Sequence, residues 1–283
     1  MTAIVGGLLT ALCWGFATVC GSRGSRIAGS ARALAWQVVI GSVLVVPFVL
    51  MHPNPLPVGG QWWLILIAGA GNVIGLLLEF QGLRAGPVAV VATLASLEGV
   101  IAAAVAMLNG ERPPFVFLAL LPLLVGGLIM VTHKSDRTTY SSAQWTAAIS
   151  YGVAAGLSFG LGLYATGRLS ESVSTVWAVL PSRFLGVIGL TIPLLLAGKL
   201  RVPRAALPWI VCSGVADTLG FLAFALGSSE GISTAAVLAS QFAVVSTIVA
   251  AILLKERLTA RQNAGVVIVA VSVAAFAAVR AGS

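Results

Sequence analysis

The chain has 283 residues, of which 59% are hydrophobic and only 8% charged. A water-soluble domain carries about 25% charged residues, so this composition excludes a soluble enzyme or binding domain and demands a lipid environment. The net charge of +8 does not indicate nucleic acid, because the cations fall mostly in short links between apolar runs, where they orient a membrane protein.

Ten apolar runs have about the 20-residue length that crosses a hydrocarbon core of about 30 Å. They lie near 2–22, 31–51, 62–83, 88–108, 114–132, 143–166, 174–197, 207–227, 232–254 and 261–280. Backbone groups in lipid must be satisfied within the segment, so runs this long are helices. Barrel strands would be shorter and alternate in polarity. The first run has no basic segment before it and reads as a span, not a signal peptide. Trp62, Trp63, Trp145 and Trp209 open their spans as interfacial anchors.

A repeat organises these spans. The stretch Gly69–Arg112 recurs as Gly214–Arg257 at an offset of 145, with Gly69, Gly75, Gly82 and Gly86 falling on Gly214, Gly220, Gly227 and Gly231. Asn72 falls on Asp217, and Trp14 on Phe159. Spans 1 and 6 carry small residues every fourth position (Gly7, Ala11, Gly15 and Gly152, Gly156, Gly160), which we read as close helix packing. The most polar link, His133–Ala143, is the seam. Residues 1–133 form the first five-helix repeat, 134–142 the linker and 143–283 the second repeat. Five spans per half is odd, so the second half enters the membrane inverted. The expected fold is an all-α membrane protein, ten transmembrane helices as two inverted five-helix repeats. Twelve lysines and arginines fall on one face, three (Arg112, Arg168, Arg280) on the other, and Arg183 lies within span 7. The positive-inside rule then puts both termini outside.

Three of the eight acidic residues sit inside spans: Glu79, Glu98 and Asp217. Each costs roughly 2.5–3.5 kcal/mol at a helix centre on insertion scales, so such residues face a bundle interior or a water-filled cavity. Glu98 is either a proton or substrate-ammonium site, or a protonated acid bonding a neighbouring helix. Asp217 shares a face with Phe221, Phe224 and Ser228. It suits a cation, or else pairs with Arg183. Asn72 shares a face with Leu76 and Glu79. Glu79 lies near its span end and is either interfacial or a second ion-coupling acid. Arg183 is either a structural partner to one acid or a clamp for a carboxylate. An arginine and an acid in one cavity suit a zwitterion.

Gln241 is a polar residue in the middle of span 9, opposite Ser96 in the repeat. Trp14 and Phe159 are placed to line a shared cavity, and Tyr164, Trp36 and Trp177 are further aromatic candidates. Glu111-Arg112 and Glu256-Arg257 read as end-of-helix charges. Cys13, Cys20 and Cys212 read as small core residues rather than a metal site or a disulfide framework. No nucleotide, metalloprotease or hydrolase motif occurs. No cofactor and no enzymatic activity are expected.

Leu97-Glu98-Gly99-Val100, followed by Leu108-Asn109-Gly110-Glu111-Arg112, resembles the Leu-Glu-Pro-Val … Gly-Glu-Arg pattern of EamA-type transporters in the drug/metabolite transporter superfamily. Leu254-Lys255-Glu256-Arg257-Leu258-Thr259 resembles its second copy, and Trp14-Gly15 its first-span motif. Gly99 stands where that family has proline. The resemblance implies an inner-membrane secondary transporter that exports amino acids or related small metabolites by alternating access. Its partners would be a small-molecule substrate, the lipid bilayer and protons, and it would be a self-sufficient monomer. The rival readings are a drug or cationic-metabolite exporter and an importer of sugars or nucleotide sugars. The family's habit puts both termini in the cytoplasm, opposite to the charge count.

Overall fold

The computed structural model describes residues 2–51, 62–110, 140–255 and 259–281. Between 111 and 139 it describes only 119, 122–123, 125–127 and 129–130. Side chains at 48, 175–176, 270, 273–274 and 276–281 are not described. Most of the expected fifth span, His52, most of the polar seam, and the Glu111-Arg112 and Glu256-Arg257 pairs lie outside the described residues.

Every regular element among the described residues is a helix. The first half holds α1 (Thr2–Ala28), α2 (Ser30–Met51), α3 (Trp62–Ala85), α4 (Val88–Ala95) and α5 (Leu97–Leu108). The second holds α6 (Ser142–Ser170), α7 (Thr175–Gly186), a π turn at Val187–Thr191, α8 (Ile192–Leu196), a 3-10 turn at Arg204–Ala206, α9 (Leu207–Ser228), α10 (Ile232–Ala239), α11 (Phe242–Leu253) and α12 (Ala260–Ala281). Eight stretches among the described residues are long and apolar enough to cross a membrane. α1 runs past the expected end of its span, so Arg23 and Arg26 belong to its last turns. Arg26 there donates to the carbonyls of Leu83 (2.9 Å) and Gly86 (3.0 Å), capping the end of α3. α6 starts on a capping box between Ser141 and Gln144.

The membrane-length stretches Val88–Leu108 and Ile232–Leu253 are each broken near the middle. α4 stops at Ala95 and α5 starts at Leu97, and α10 stops at Ala239 while α11 starts at Phe242. No proline makes either break. The Ser96 hydroxyl donates to the Thr93 carbonyl at 2.7 Å, and the Ser240 hydroxyl to the Val237 carbonyl at 2.7 Å. Each serine occupies a carbonyl that the interrupted helix leaves open. The repeat register slips here. α4 answers to α10 at an offset of 144, whereas α5 answers to α11 at 145. Ser240 is therefore the partner of Ser96, and Gln241 is the extra residue of the second break. This corrects the expected pairing of Gln241 with Ser96. Both broken spans end on a left-handed residue, Gly110 (φ 97°) and its counterpart Lys255 (φ 55°).

The closest packing runs between the halves. α1 lies along α9, and α3 lies along α6. These two contacts are counterparts of each other under the repeat, and a two-repeat architecture fits them. The small-residue stripes of α1 and α6 serve this packing. A Cβ on Gly15 would strike Val245 and Ser246, and one on Gly160 would strike Ile101 and the Glu98 carbonyl. Large apolar side chains such as Leu12, Phe16, Leu157, Leu219 and Leu226 point outward, while Glu79, Glu98, Arg183 and Asp217 are buried. That polarity is inverted relative to a soluble protein, as lipid contact requires. Cys20 is buried as expected, whereas Cys212 departs from expectation. Cys212 is exposed, and its sulfur lies 3.0 Å from that of Cys20, with both thiols free.

The α3–α6 contact gives a stability test. A Cβ on Gly71 would lie 2.7 Å from the Ser158 carbonyl oxygen and 2.8 Å from Gly162 Cα, whereas one on Gly189 meets nothing within 4 Å. Gly71→Ala is expected to cost about 1–3 kcal/mol, read as a lower midpoint of thermal unfolding in detergent. Gly189→Ala is expected to leave that midpoint unchanged.

Candidate functional site

A cavity lies between the halves, with walls from α1, α2, α3, α5, α6, α9 and α11. Asn72, Leu76, Glu79 and Phe80 enter from α3. Their spacing places Asn72, Leu76 and Glu79 on one helical face. Ser213, Asp217 and Phe221 enter from α9 at the same i, i+4 spacing. Trp14 and Thr18 come from α1, Phe159 and Leu163 from α6, Gln37 from α2, and Phe242 from the start of α11. Glu98 reaches the cavity because the break at Ser96 starts α5 just before it. The volume able to hold water is about 30 Å³, room for about two molecules. Side chains must part before a metabolite fits.

The polar groups form a connected set. Thr18 donates its hydroxyl to Glu79 Oε1 at 3.1 Å. Ser213 donates to Gln37 Oε1 at 2.7 Å, with the Ala17 carbonyl 3.0 Å away. The Trp14 indole N–H donates to the Asp217 main-chain carbonyl at 3.3 Å. Arg183 Nη2 sits 2.8 Å from Asp217 Oδ2, with both side chains buried. That ion pair has the distance of a hydrogen bond but not its angle, so Asp217 Oδ2 and all three guanidinium nitrogens lack a hydrogen-bonded partner. The guanidinium also lies 5.5 Å from the Phe221 ring centroid, within cation–π range. It fits only because residue 41 is glycine; a Cβ there would lie 2.8 Å from Arg183 Nε.

Aromatic rings make up much of the remaining wall. Trp14 packs on Phe221 at 5.0 Å between centroids, on Phe224 at 6.1 Å and on Phe242 at 6.4 Å. The two repeat-related aromatics are seated alike. Trp14 lies where a Cβ on Gly220 would be, and Phe159 where a Cβ on Gly75 would be. Gly220 and Gly75 are themselves counterparts at the 145 offset.

The cavity brings together Trp14, Asn72, Glu79, Glu98, Phe159, Asp217 and Phe221. Three candidates stand off its wall. Arg183 lies behind Asp217 and Phe221. Gln241 sits at the second helix break with its Nε2 unpartnered. Tyr164 instead lines a separate polar cavity of about 420 Å³ with Arg168, Glu171 and Glu230. Glu79 is no interfacial residue: it is 3% exposed and hydrogen-bonded. Ser228 faces away from the cavity and bonds Ser170 at 3.0 Å. Trp36 donates to the Leu200 carbonyl at 2.9 Å, away from the cavity. Thr18, Gln37, Phe80, Ser213 and Phe242 are wall residues that sequence reasoning missed. Two carried a readable signal. Gln37 is a lone amide in an apolar run, and Ser213 stands one turn before Asp217 on the same face.

These features define a multi-pass membrane protein with a cavity of mixed polar and aromatic lining between two similar halves. Residues 1–133 and 146–278 match the EamA-like transporter family. The chain belongs to this family and is a membrane transporter of small molecules. The two matched segments start 145 residues apart, the offset of the glycine repeat. One solved structure, described only as a crystal structure of a protein, is similar over 99% of both chains, with a TM-score of 0.70 and 17% sequence identity. That likeness shows the fold alone. No curated protein matches the chain.

The ion pair carries a prediction. Arg183→Gln would strand Asp217 without its cation, and breaking a buried pair on one side costs about 3–5 kcal/mol. The expected result is a sharp drop in the thermal unfolding midpoint, with Arg183→Gln/Asp217→Asn recovering most of it.

Proposed function

We propose that this chain is a secondary transporter that exports small amine-bearing metabolites, amino acids among them, by alternating access to the central cavity. The observation that carries the reading is the convergence of Glu79, Glu98 and Asp217 with aromatic rings in one cavity between the halves. Carboxylates are expensive in a membrane and persist where they handle a cation or a proton. Aromatic faces attract the same cations.

The transport cycle in this proposal rocks one repeat against the other. The repeats are 1–133 and 143–283, joined by 134–142, with ten spans in all and the second repeat inverted. The two broken spans support such motion, because interrupted helices near mid-membrane form binding sites in many secondary transporters. Glu98 is the proposed proton carrier. It sits at a helix break, and its Oε1 has no hydrogen-bond partner. Glu79 and Asp217 share its cavity, with Arg183 behind Asp217. Exchange of a proton for substrate at Glu98 supplies the drive. Charge bias supports an inner-membrane orientation with the lysine- and arginine-rich links in the cytoplasm and the termini outside. The two fused halves support a self-sufficient monomer.

The test is uptake of labelled amino acids and amines into proteoliposomes, with and without an imposed pH gradient. Wild-type protein is expected to give saturable uptake that the gradient turns into accumulation. Glu98→Gln is expected to keep exchange at equal concentrations and lose accumulation. A Glu98→Gln protein that still accumulates substrate would remove Glu98 from the coupling role. Sugar uptake that survives neutralisation of all three acids would favour the importer reading.

A further inference from the structure

We infer that the central cavity recognises a substrate through its protonated amine alone and does not recognise a carboxylate, so that simple organic amines are its preferred substrate class. This deepens the proposed transport function and rests on it.

The argument starts from charge. Among the described residues, the cavity wall carries three acidic side chains, Glu79, Glu98 and Asp217, and no lysine, arginine or histidine. The nearest cation among the described residues, Arg183, is 1% exposed, lies behind the wall and faces Asp217 at 2.8 Å. It offsets one carboxylate and leaves two without a counter-charge. An entering carboxylate would meet uncompensated like charge, which costs several kcal/mol when desolvated.

The unpaired atoms give a second, independent observation. Asn72 is 3% exposed and Glu98 is 2% exposed, and both line the cavity. Asn72 Oδ1 and Glu98 Oε1 are buried with no hydrogen-bond partner, whereas Asp217 Oδ2 faces the Arg183 guanidinium at 2.8 Å. Both unpaired atoms are acceptors. Buried acceptors without partners are costly, and a ligand that brings N–H donors removes that cost. The wall's hydroxyl and indole donors are already used: Thr18 on Glu79, Ser213 on Gln37, and the Trp14 indole on the Asp217 carbonyl. A substrate carboxylate would therefore find no cationic donor on the wall, only the neutral amide groups of Asn72 and Gln37.

The shape of the chemistry selects an organic cation over a metal ion. Among the described residues no three His, Cys, Asp or Glu converge closely enough to hold a metal. Trp14, Phe80, Phe159, Phe221 and Phe242 line the same space and supply apolar faces for a hydrocarbon body and cation–π faces for its ammonium.

The experiment uses one carbon skeleton with three polar heads. Labelled phenethylamine is bound to purified full-length protein in detergent, and unlabelled phenethylamine, phenylalanine and 3-phenylpropionate compete. The expected result is that phenylalanine competes at least about tenfold more weakly than phenethylamine, given the like-charge cost of its carboxylate, and that 3-phenylpropionate does not compete. Glu98→Gln and Asn72→Ala are each expected to weaken phenethylamine, and Glu98→Asp to keep part of its affinity. Phenylalanine competing as well as phenethylamine would overturn the inference and point to Arg183 leaving Asp217 to clamp a carboxylate. No binding of phenethylamine would overturn it too. In either case saturable uptake of any labelled solute by the same preparation in liposomes would leave the transporter reading standing, so the two failures are distinguishable.

Discussion

The 2.8 Å contact between Arg183 and Asp217 is the interaction on which the rest of the interior depends. Two buried charges inside a lipid-spanning bundle are tolerable only together. Their pairing ties α7 to α9 and anchors the α9 face that carries Ser213, Asp217 and Phe221 into the cavity. It also requires room, which Gly41 provides, and an aromatic surface, which Phe221 provides. With Arg183 committed, the cavity keeps an acidic character. Glu79 is held by Thr18, while Glu98 presents an unpartnered oxygen.

The geometry that exposes Glu98 is itself a consequence of local backbone chemistry. A continuous helix would keep every amide and carbonyl engaged. Two spans are interrupted at related positions, where the hydroxyls of Ser96 and Ser240 take up a carbonyl three residues back that the break leaves open. The helix pieces that follow start beside the cavity, which places Glu98 and Phe242 on its wall. The close approach of α6 reinforces the first break. A Cβ on Gly156 would lie 2.8 Å from the Leu94 carbonyl oxygen, so only glycine lets the helix come that near.

Much of this was legible in the sequence. Hydropathy located the helices, because lipid allows few alternatives to them. The glycine register found the repeat, and the repeat linked Trp14 to Phe159 before either was seen to rest on a counterpart glycine. The three intramembrane acids stood out because their cost is high wherever they are. What stayed hidden depends on which residues face one another across helices. Nothing in the order of residues said that Arg183 would meet Asp217 rather than Glu79 or Glu98. Tyr164 was indistinguishable from Phe159 as an aromatic on the same span, yet it lines a different cavity. The helix breaks were hidden because no proline marks them, and the serines found there are common in spans that are unbroken.

The central claim is that the space between the halves is a passage reached in turn from each side of the membrane. The most direct test places a single cysteine at Ala17, which lines the cavity, in a variant with Cys13, Cys20 and Cys212 replaced. Reaction with a membrane-impermeant maleimide is then followed from either face of sealed vesicles under opposite pH gradients. The account predicts labelling from both faces, with reversal of the gradient raising one and lowering the other. Labelling from one face only, whatever the gradient, would contradict it.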